Sequence, residues 1–244
     1  MDPLSIAAAS GLRSRMESLS LLANNLANAT TSGYKSDSEF YGLYTSPDAD
    51  PSSEGSTLPS IERQWTDFSQ GTLQPTGNPL DVALTGPGFL TVAGPGGDMY
   101  TRNGSLHASP NGDLATSEGF SIRGVGGGAI HLISGASVEI APDGTVRQEG
   151  HPIGQLAVVN FKSTDSLRKM SGTCFQNTDS KNPPVAASEV RVLQGKLESS
   201  NVAVPEAAMR LVGVMRQFEM LQKAVSLGVE MDSKSIQEVA RVGT

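Results

Sequence analysis

The chain has 244 residues with a net charge of −7 and a pI near 5.0, so it offers no clustered basic surface of the kind that displaces counterions from a nucleic-acid duplex. Its apolar content of 37% and aromatic content of 5% are lean for an enzyme core, and 27 glycines with 14 prolines predict a turn-rich β body. The single cysteine, Cys174, excludes an intrachain disulfide and a four-cysteine zinc site.

The opening residues, MDPLSIAAASGLRSRMESLS, lack the basic lead and long apolar run of a secretory signal peptide. No stretch reaches the roughly 18 consecutive apolar residues of a membrane span, so no direct membrane insertion is expected. Residues 4–28 carry a helical period, with Leu12, Leu19 and Leu26 every seven residues and Ala9, Met16 and Ala23 between them. Leu4, Ile6, Leu21 and Leu22 widen the apolar surface beyond one stripe.

That helix runs into LANNLANATTSGYKSD, residues 21–36. One amide or glycine is enough to cap a helix, and Gly33 can end it in the left-handed conformation. Asn24, Asn25 and Asn28 at helical spacing exceed that need. A buried amide without partners costs about 1–3 kcal/mol, so these side chains are expected to pair with another backbone or another subunit.

Residues 36–79 read as an extended connector, in which SPDADPSSEGSTLPS (46–60) is an acidic Pro/Ser loop. From Leu80 the signals are short strands separated by turns, and Asn103-Gly104 predicts a hairpin. SPNGDLATSEGFSIRG (109–124) and APDGTVRQEGHPIGQ (141–155) form a weak internal repeat, each with Pro-Asn/Asp-Gly followed by alternating residues.

Beyond LESSNVAVPEAA a second helix is predicted over 205–240, with Pro205 suited to its first turn. Leu211, Met215, Phe218, Gln222, Val225, Val229, Asp232, Ile236 and Val239 alternate by four and three residues as a heptad seam. Glu219 with Lys223 and Glu230 with Lys234 stand four apart, as on a solvated face.

Together these elements predict an α+β protein of several parts. Helices from residues 1–35 and 200–244 pair as a coiled coil in one helical domain. Residues 36–79 connect, and residues 80–199 form a mainly antiparallel β domain. Charge follows the same division: residues 36–204 hold 18 acids against 10 bases, whereas the ends are nearly neutral.

The sequence assembles no catalytic constellation. GVGGGA (124–129) fits G-x-G-x-x-A, but AIHLI behind it reads as a strand, where a pyrophosphate site requires a helix N-terminus. His107, His131 and His151 lack the helical pairing of a zinc site, and Cys174 in SGTCFQ reads as a packing residue. No catalytic residue, metal ligand or cofactor site is assigned, and an enzyme is not expected.

ANNLANATTSGYK (23–35), with QGTLQPTGNPLDVALTGPGFLTV (70–92), YTRNGSLHASPNGDLATSEGF (100–120) and QGKLESSNVAVPEAAMRLVGVMRQFEM (194–220), resembles the bacterial flagellar rod and hook family. The match covers both ends and most of the middle. Length and the small middle domain favour the short rod subunits over the longer hook protein, with a lean to the proximal rod. Residues 46–60 and KMSGTCFQNT (169–178) depart most from the family pattern.

The resemblance implies a structural subunit whose terminal helices pair into an inner tubular layer with a β domain outside. It implies a place in the basal body, export through the flagellar type III apparatus without a cleaved signal, and partners among copies of itself and other rod, hook and basal-body proteins. Asn24, Asn25, Leu26, Asn28, Thr31, Gly33 and Tyr34 match the N-terminal packing motif. Leu197, Glu198, Ser199, Asn201 and Val202 match the C-terminal one, and Leu211, Met215, Phe218 and Val225 are the candidate seam residues of the last helix. The alternative is a cell-wall-binding or hydrolytic β domain carried on a coiled-coil oligomerisation module; it calls for paired acids or a metal cluster, which the sequence does not supply.

Overall fold

The structure is a computed structural model and describes residues 3–45 and 57–242. Helix α1 spans Pro3–Ala27, strands β1 and β2 span Asp37–Thr45 and Thr57–Thr66, and the closing helix α2 spans Val204–Val242. These elements form one compact unit; Asn28–Ser36 and Asp67–Asn201 form a second. The chain is therefore α+β, as the periodicities predict.

In the helical unit, the expected connector is in large part a β ribbon. Strands β1 and β2 pair antiparallel from Asp37↔Thr66 to Thr45↔Thr57, with a bulge beside Phe40 and Tyr41. The Tyr, Leu, Ile and Trp residues outside the Pro/Ser run supply the strand propensity; the run itself, over residues 46–56, lies outside the described residues.

The two helices touch: a Cβ at Gly11 of α1 would stand 3.8 Å from Leu221 Cδ1 of α2. On α2 the most sheltered positions are Ala207, Leu211, Val214, Phe218, Leu221, Val225 and Gly228, spaced by four and three. Leu211, Phe218 and Val225 are thus among the sheltered positions. Met215, at 47% exposure, is not, nor are Gln222 and Val229, whose places Val214, Leu221 and Gly228 take. The side chains of Asp232, Ile236 and Val239 lie outside the described residues. Helix α2 is apolar on more than one side, so spacing alone could not choose between two seams that share every second member.

Helix α1 departs from its expected seam in the same way. Its buried stripe runs through Ser14, Ser18, Leu22 and Asn25, with Leu12, Leu19 and Leu26 half-buried beside it and Ala9, Met16 and Ala23 exposed. Ser18 Oγ donates to Ser14 O, so the hydroxyl is satisfied within the helix.

The second unit is built from short strands: β3 (Leu73–Pro75), β4 (Val82–Thr85), β5 (Phe89–Gly94), β6 (Gly97–Thr101), β7 (Leu106–Ala108) and β8 (Leu114–Thr116) come first. Then follow β9 (Val138–Ile140), β10 (Thr145–Gln148), β11 (His151–Gln155), β12 (Val158–Asn160), β13 (Leu167–Ser171) and β14 (Cys174–Asn177). The last are β15 (Val185–Ala186), β16 (Arg191–Gln194) and β17 (Lys196–Glu198). The largest sheet has the order β13-β14-β6-β5-β12-β15, and β11-β10-β9, β16-β4, β17-β3 and β7-β8 are smaller ladders, all antiparallel. An aliphatic core gathers Val82, Leu90, Leu114, Ile122 and Val146. An aromatic one joins Phe68, Phe89, Tyr100, Phe161 and Phe175, with ring centroids 4.8 Å apart for Tyr100 and Phe161.

Both copies of the internal repeat close the same turn. Gly112 N–H donates to Ser109 O and Ser109 N–H to Asp113 O; Gly144 N–H donates to Ala141 O and Ala141 N–H to Thr145 O. The glycines sit at φ 85° and 83°, which the Pro-Asn/Asp-Gly pattern anticipates. GVGGGA is a glycine turn, with Gly124 N–H donating to Gly128 O and no helix behind it.

Asn103-Gly104 is not the expected hairpin. β6 pairs with β5 and β14, and Gly104 instead lets the backbone approach Val82, whose N–H donates to Gly104 O at 2.9 Å. A Cβ at residue 104 would fall 1.7 Å from Val82 O.

Cys174 is 1% exposed, inside the aliphatic core. Burial, reinforced by Glu118, pushes its thiol up to about 12. Alkylating agents act on the thiolate, so the native protein at pH 8 should resist iodoacetamide and label fully once denatured, as mass spectrometry would register.

Candidate assembly site

The N-terminal motif is divided between two hydrogen-bonded centres, one in each unit, and the C-terminal motif joins the second. In the helical unit Asn25, 6% exposed near the end of α1, acts on the backbone as a strand would. Its Nδ2 donates to Asp37 O at 2.7 Å and its Oδ1 accepts from Asp37 N–H at 3.0 Å. Thr66 Oγ1 then donates to Asp37 Oδ1 at 2.7 Å, where β1 and β2 begin their ladder. The partner of this amide is therefore a backbone of the same chain.

Asn25→Leu keeps helix propensity but leaves both backbone groups of Asp37 without this partner. Each unsatisfied group costs about 1–3 kcal/mol, so a fall in the melting temperature of the helical unit is expected, with faster amide exchange at Asp37. Unchanged exchange there would contradict the bonding.

In the β unit the motif folds around Glu198. Gly33, at φ 68°, donates its N–H to Glu198 O at 2.7 Å. The left-handed residue turns the chain so that Tyr34 and Lys35 point inward, at 1% and 0% exposure. Lys35 Nζ donates to Glu198 Oε1 at 2.5 Å and to Ser69 O at 2.6 Å. Gly71 N–H reaches the same Oε1 at 2.9 Å, and Arg102 Nη1 reaches Oε2 at 3.3 Å.

Arg102 Nη2 donates to Gly86 O at 2.7 Å, and its guanidinium lies 5.3 Å from the Phe89 ring centre. Lys169 stacks its ammonium 4.1 Å from the Tyr34 ring centre and donates to Lys35 O at 2.8 Å. Burial draws the lysine and the guanidinium below their ordinary values, while Glu198 opposes the shift at each.

Asn201 ties the outer end of this centre. Its Oδ1 accepts from Ser36 N–H at 2.7 Å, its Nδ2 donates to Asp67 O at 2.8 Å, and Asp67 N–H donates to Ser36 O at 2.8 Å. Ser36, Asp67 and Asn201 thus close a triangle, and these are three of the residues at which the chain passes from one unit to the other. Ser199 N–H donates to Thr72 O, and β17 carries Leu197, half-buried, against β3.

The remaining predicted positions are less central. Thr31 and Asn28 hydrogen-bond to each other, Leu26 and Val202 are half-buried, and Asn24 is exposed. Sequence reasoning missed Arg102, Ser69, Gly71 and Lys169, and passed over Lys35 inside its own motif. Only the coincidence of a basic residue with a left-handed glycine two positions earlier could have marked Lys35 as buried.

The charged and amide side chains of the two centres bond to the chain's own backbone or to a charge partner, with Arg102 Nε the exception, and among the described residues no group of three potential metal ligands forms. The contacts of both centres are those of a scaffold: they tie helix end, strand and loop within each unit. Similarity to known proteins gives the chain's family. A profile of the flagellar hook protein FlgE/F/G D1 domain matches residues 83–148, and one of the flagellar basal body rod FlgEFG protein C-terminal region matches residues 193–238.

The chain is 32% identical to the flagellar basal-body rod protein FlgG of Buchnera aphidicola subsp. Baizongia pistaciae, over 96% of this chain and 98% of that one. It is 32% identical to FlgF of Salmonella typhimurium, over 88% and 89%, and 27% identical to FlgF of Caulobacter vibrioides, over 92% of each. The chain belongs to the flagellar basal-body rod protein family.

Proposed function

We infer that the chain is a structural subunit of the bacterial flagellar basal-body rod, which assembles with other rod subunits and carries torque through its interfaces. The apolar surface of α2 outside its own seam carries this reading. Met209, Met220, Leu227, Val229 and Met231 are 59–70% exposed in the single chain, a width of apolar surface that one helix partner leaves uncovered. Long flexible methionines adapt to irregular neighbours, which suits a lattice in which non-equivalent faces meet.

In this reading α1 and α2 pair as a coiled coil through Leu211, Phe218 and Val225. Met215, with Asn24 and Met16, faces other subunits: copies of the chain and neighbouring rod or hook proteins. Asn25, Gly33, Tyr34, Glu198 and Asn201 serve assembly indirectly, by fixing the shape that is presented. Export by the flagellar type III apparatus and a proximal place in the rod belong to the same proposal. Deleting the gene should abolish motility with the rod missing or incomplete in purified basal bodies, and the plasmid-borne gene should restore both. Intact rods in the deletion strain would refute the assignment.

A further inference from the structure

The ionic centre of the β unit has an asymmetry in chain order. Its two buried cations, Lys35 and Arg102, come early, and the carboxylate that contacts them both, Glu198, comes from β17, the last strand. The relative exposures of the three side chains are 0%, 5% and 0%, so none is solvated in the folded unit. Asp67 also favours the charged lysine, but it is the least of the influences on that group.

We propose that Glu198 is a completion latch: the β unit cannot hold its native core until the last strand has delivered this carboxylate. Without it, folding would enclose two cations whose remaining partners are uncharged: the carbonyls of Ser69 and Gly86 and, for Arg102, the Phe89 ring. Arg102 Nε lacks an acceptor even in the complete fold, and among the described residues Glu198 is the carboxylate that pairs with the guanidinium. A buried ion pair broken by loss of one member is strongly destabilising, whereas replacing all members with apolar side chains is often neutral or better. The strands that surround Lys35 and Arg102 therefore carry a built-in penalty against closing early, and β17 lifts it. The same strand sets the Gly33 N–H and Gly71 N–H bonds, so the latch draws both early segments onto the final one.

The test is hydrogen exchange on the full-length protein, with Gly71 and Ser199 amides as reporters of the latch and those of β5, β6 and β14 as reporters of the core. In pulse-labelled refolding of the wild type, core amides should gain protection no earlier than Gly71 and Ser199. In E198Q, core protection should fall throughout the unit by roughly 100-fold or more. The variant K35M/R102M/E198L should regain core protection to within about tenfold of wild type, and it decides the matter if E198Q does not fold. Protection of β5 and β6 while Gly71 still exchanges, a loss in E198Q confined to residues 69–72 and 196–201, or a triple variant without core protection would each overturn the latch.

Discussion

Replacing Gly33 with alanine should cost the β unit about 2–5 kcal/mol, a large share of the roughly 5–15 kcal/mol that holds a typical domain folded. Two penalties combine. The residue sits at φ 68°, where a side chain costs about 1–2 kcal/mol. Its new Cβ would stand 2.3 Å from Asn103 N and 2.4 Å from Arg102 C, both backbone atoms that cannot swing aside, and overpacking of this kind adds about 1–3 kcal/mol. Relief of the clash must move either the 102–103 backbone, and with it Arg102, or the Gly33 N–H bond to Glu198 O. Denaturant unfolding followed by far-UV circular dichroism measures the loss; a variant within about 1 kcal/mol of wild type would contradict the close approach.

Placing aspartate at both Met209 and Met220 should have the opposite profile. These side chains are 70% and 62% exposed, and exposed substitutions usually change monomer stability by no more than about 0.5 kcal/mol. In an assembled lattice each position would have to bury a carboxylate where a methionine contributes about 1.5–3 kcal/mol of apolar burial. Motility should therefore be lost while the purified monomer melts as wild type does. A motile strain with normal rods would place these residues away from any subunit interface.

The same two helices show how far the sequence could be read. Their existence and near boundaries follow from period and from Pro205, because an apolar stripe that recurs over many helical turns is a pattern strands and loops do not produce. Which stripe faces the partner does not follow, since a helix with several neighbours is apolar on several sides. The three asparagines announce a need for partners, and Asn25 finds its partner in Asp37, twelve residues on, where the sequence predicts a connector. The pairing of β1 with β2 is hidden by the Pro/Ser run between them.

Turn chemistry is legible where a motif repeats, at Gly112 and Gly144, and misleading at Gly104. There glycine answers a steric demand from Val82 that only the tertiary fold creates. Lys35 and Glu198 lie 163 residues apart, and no local pattern links a lysine to a carboxylate at that separation. The C-terminal motif points to Glu198 through family resemblance, but its role as the hub of two cations is a property of the packed unit alone.

The outward faces of the terminal helices should meet other subunits within the rod. Met220→Cys offers the most direct measurement, since the native Cys174 is buried and silent. In purified basal bodies, a short bifunctional thiol-to-amine cross-linker should join residue 220 to a neighbouring rod subunit, while Val214→Cys, on the intrachain seam, should give no intersubunit product. Basal bodies that lack the chain, or that leave residue 220 freely reactive and uncross-linked, would contradict the account.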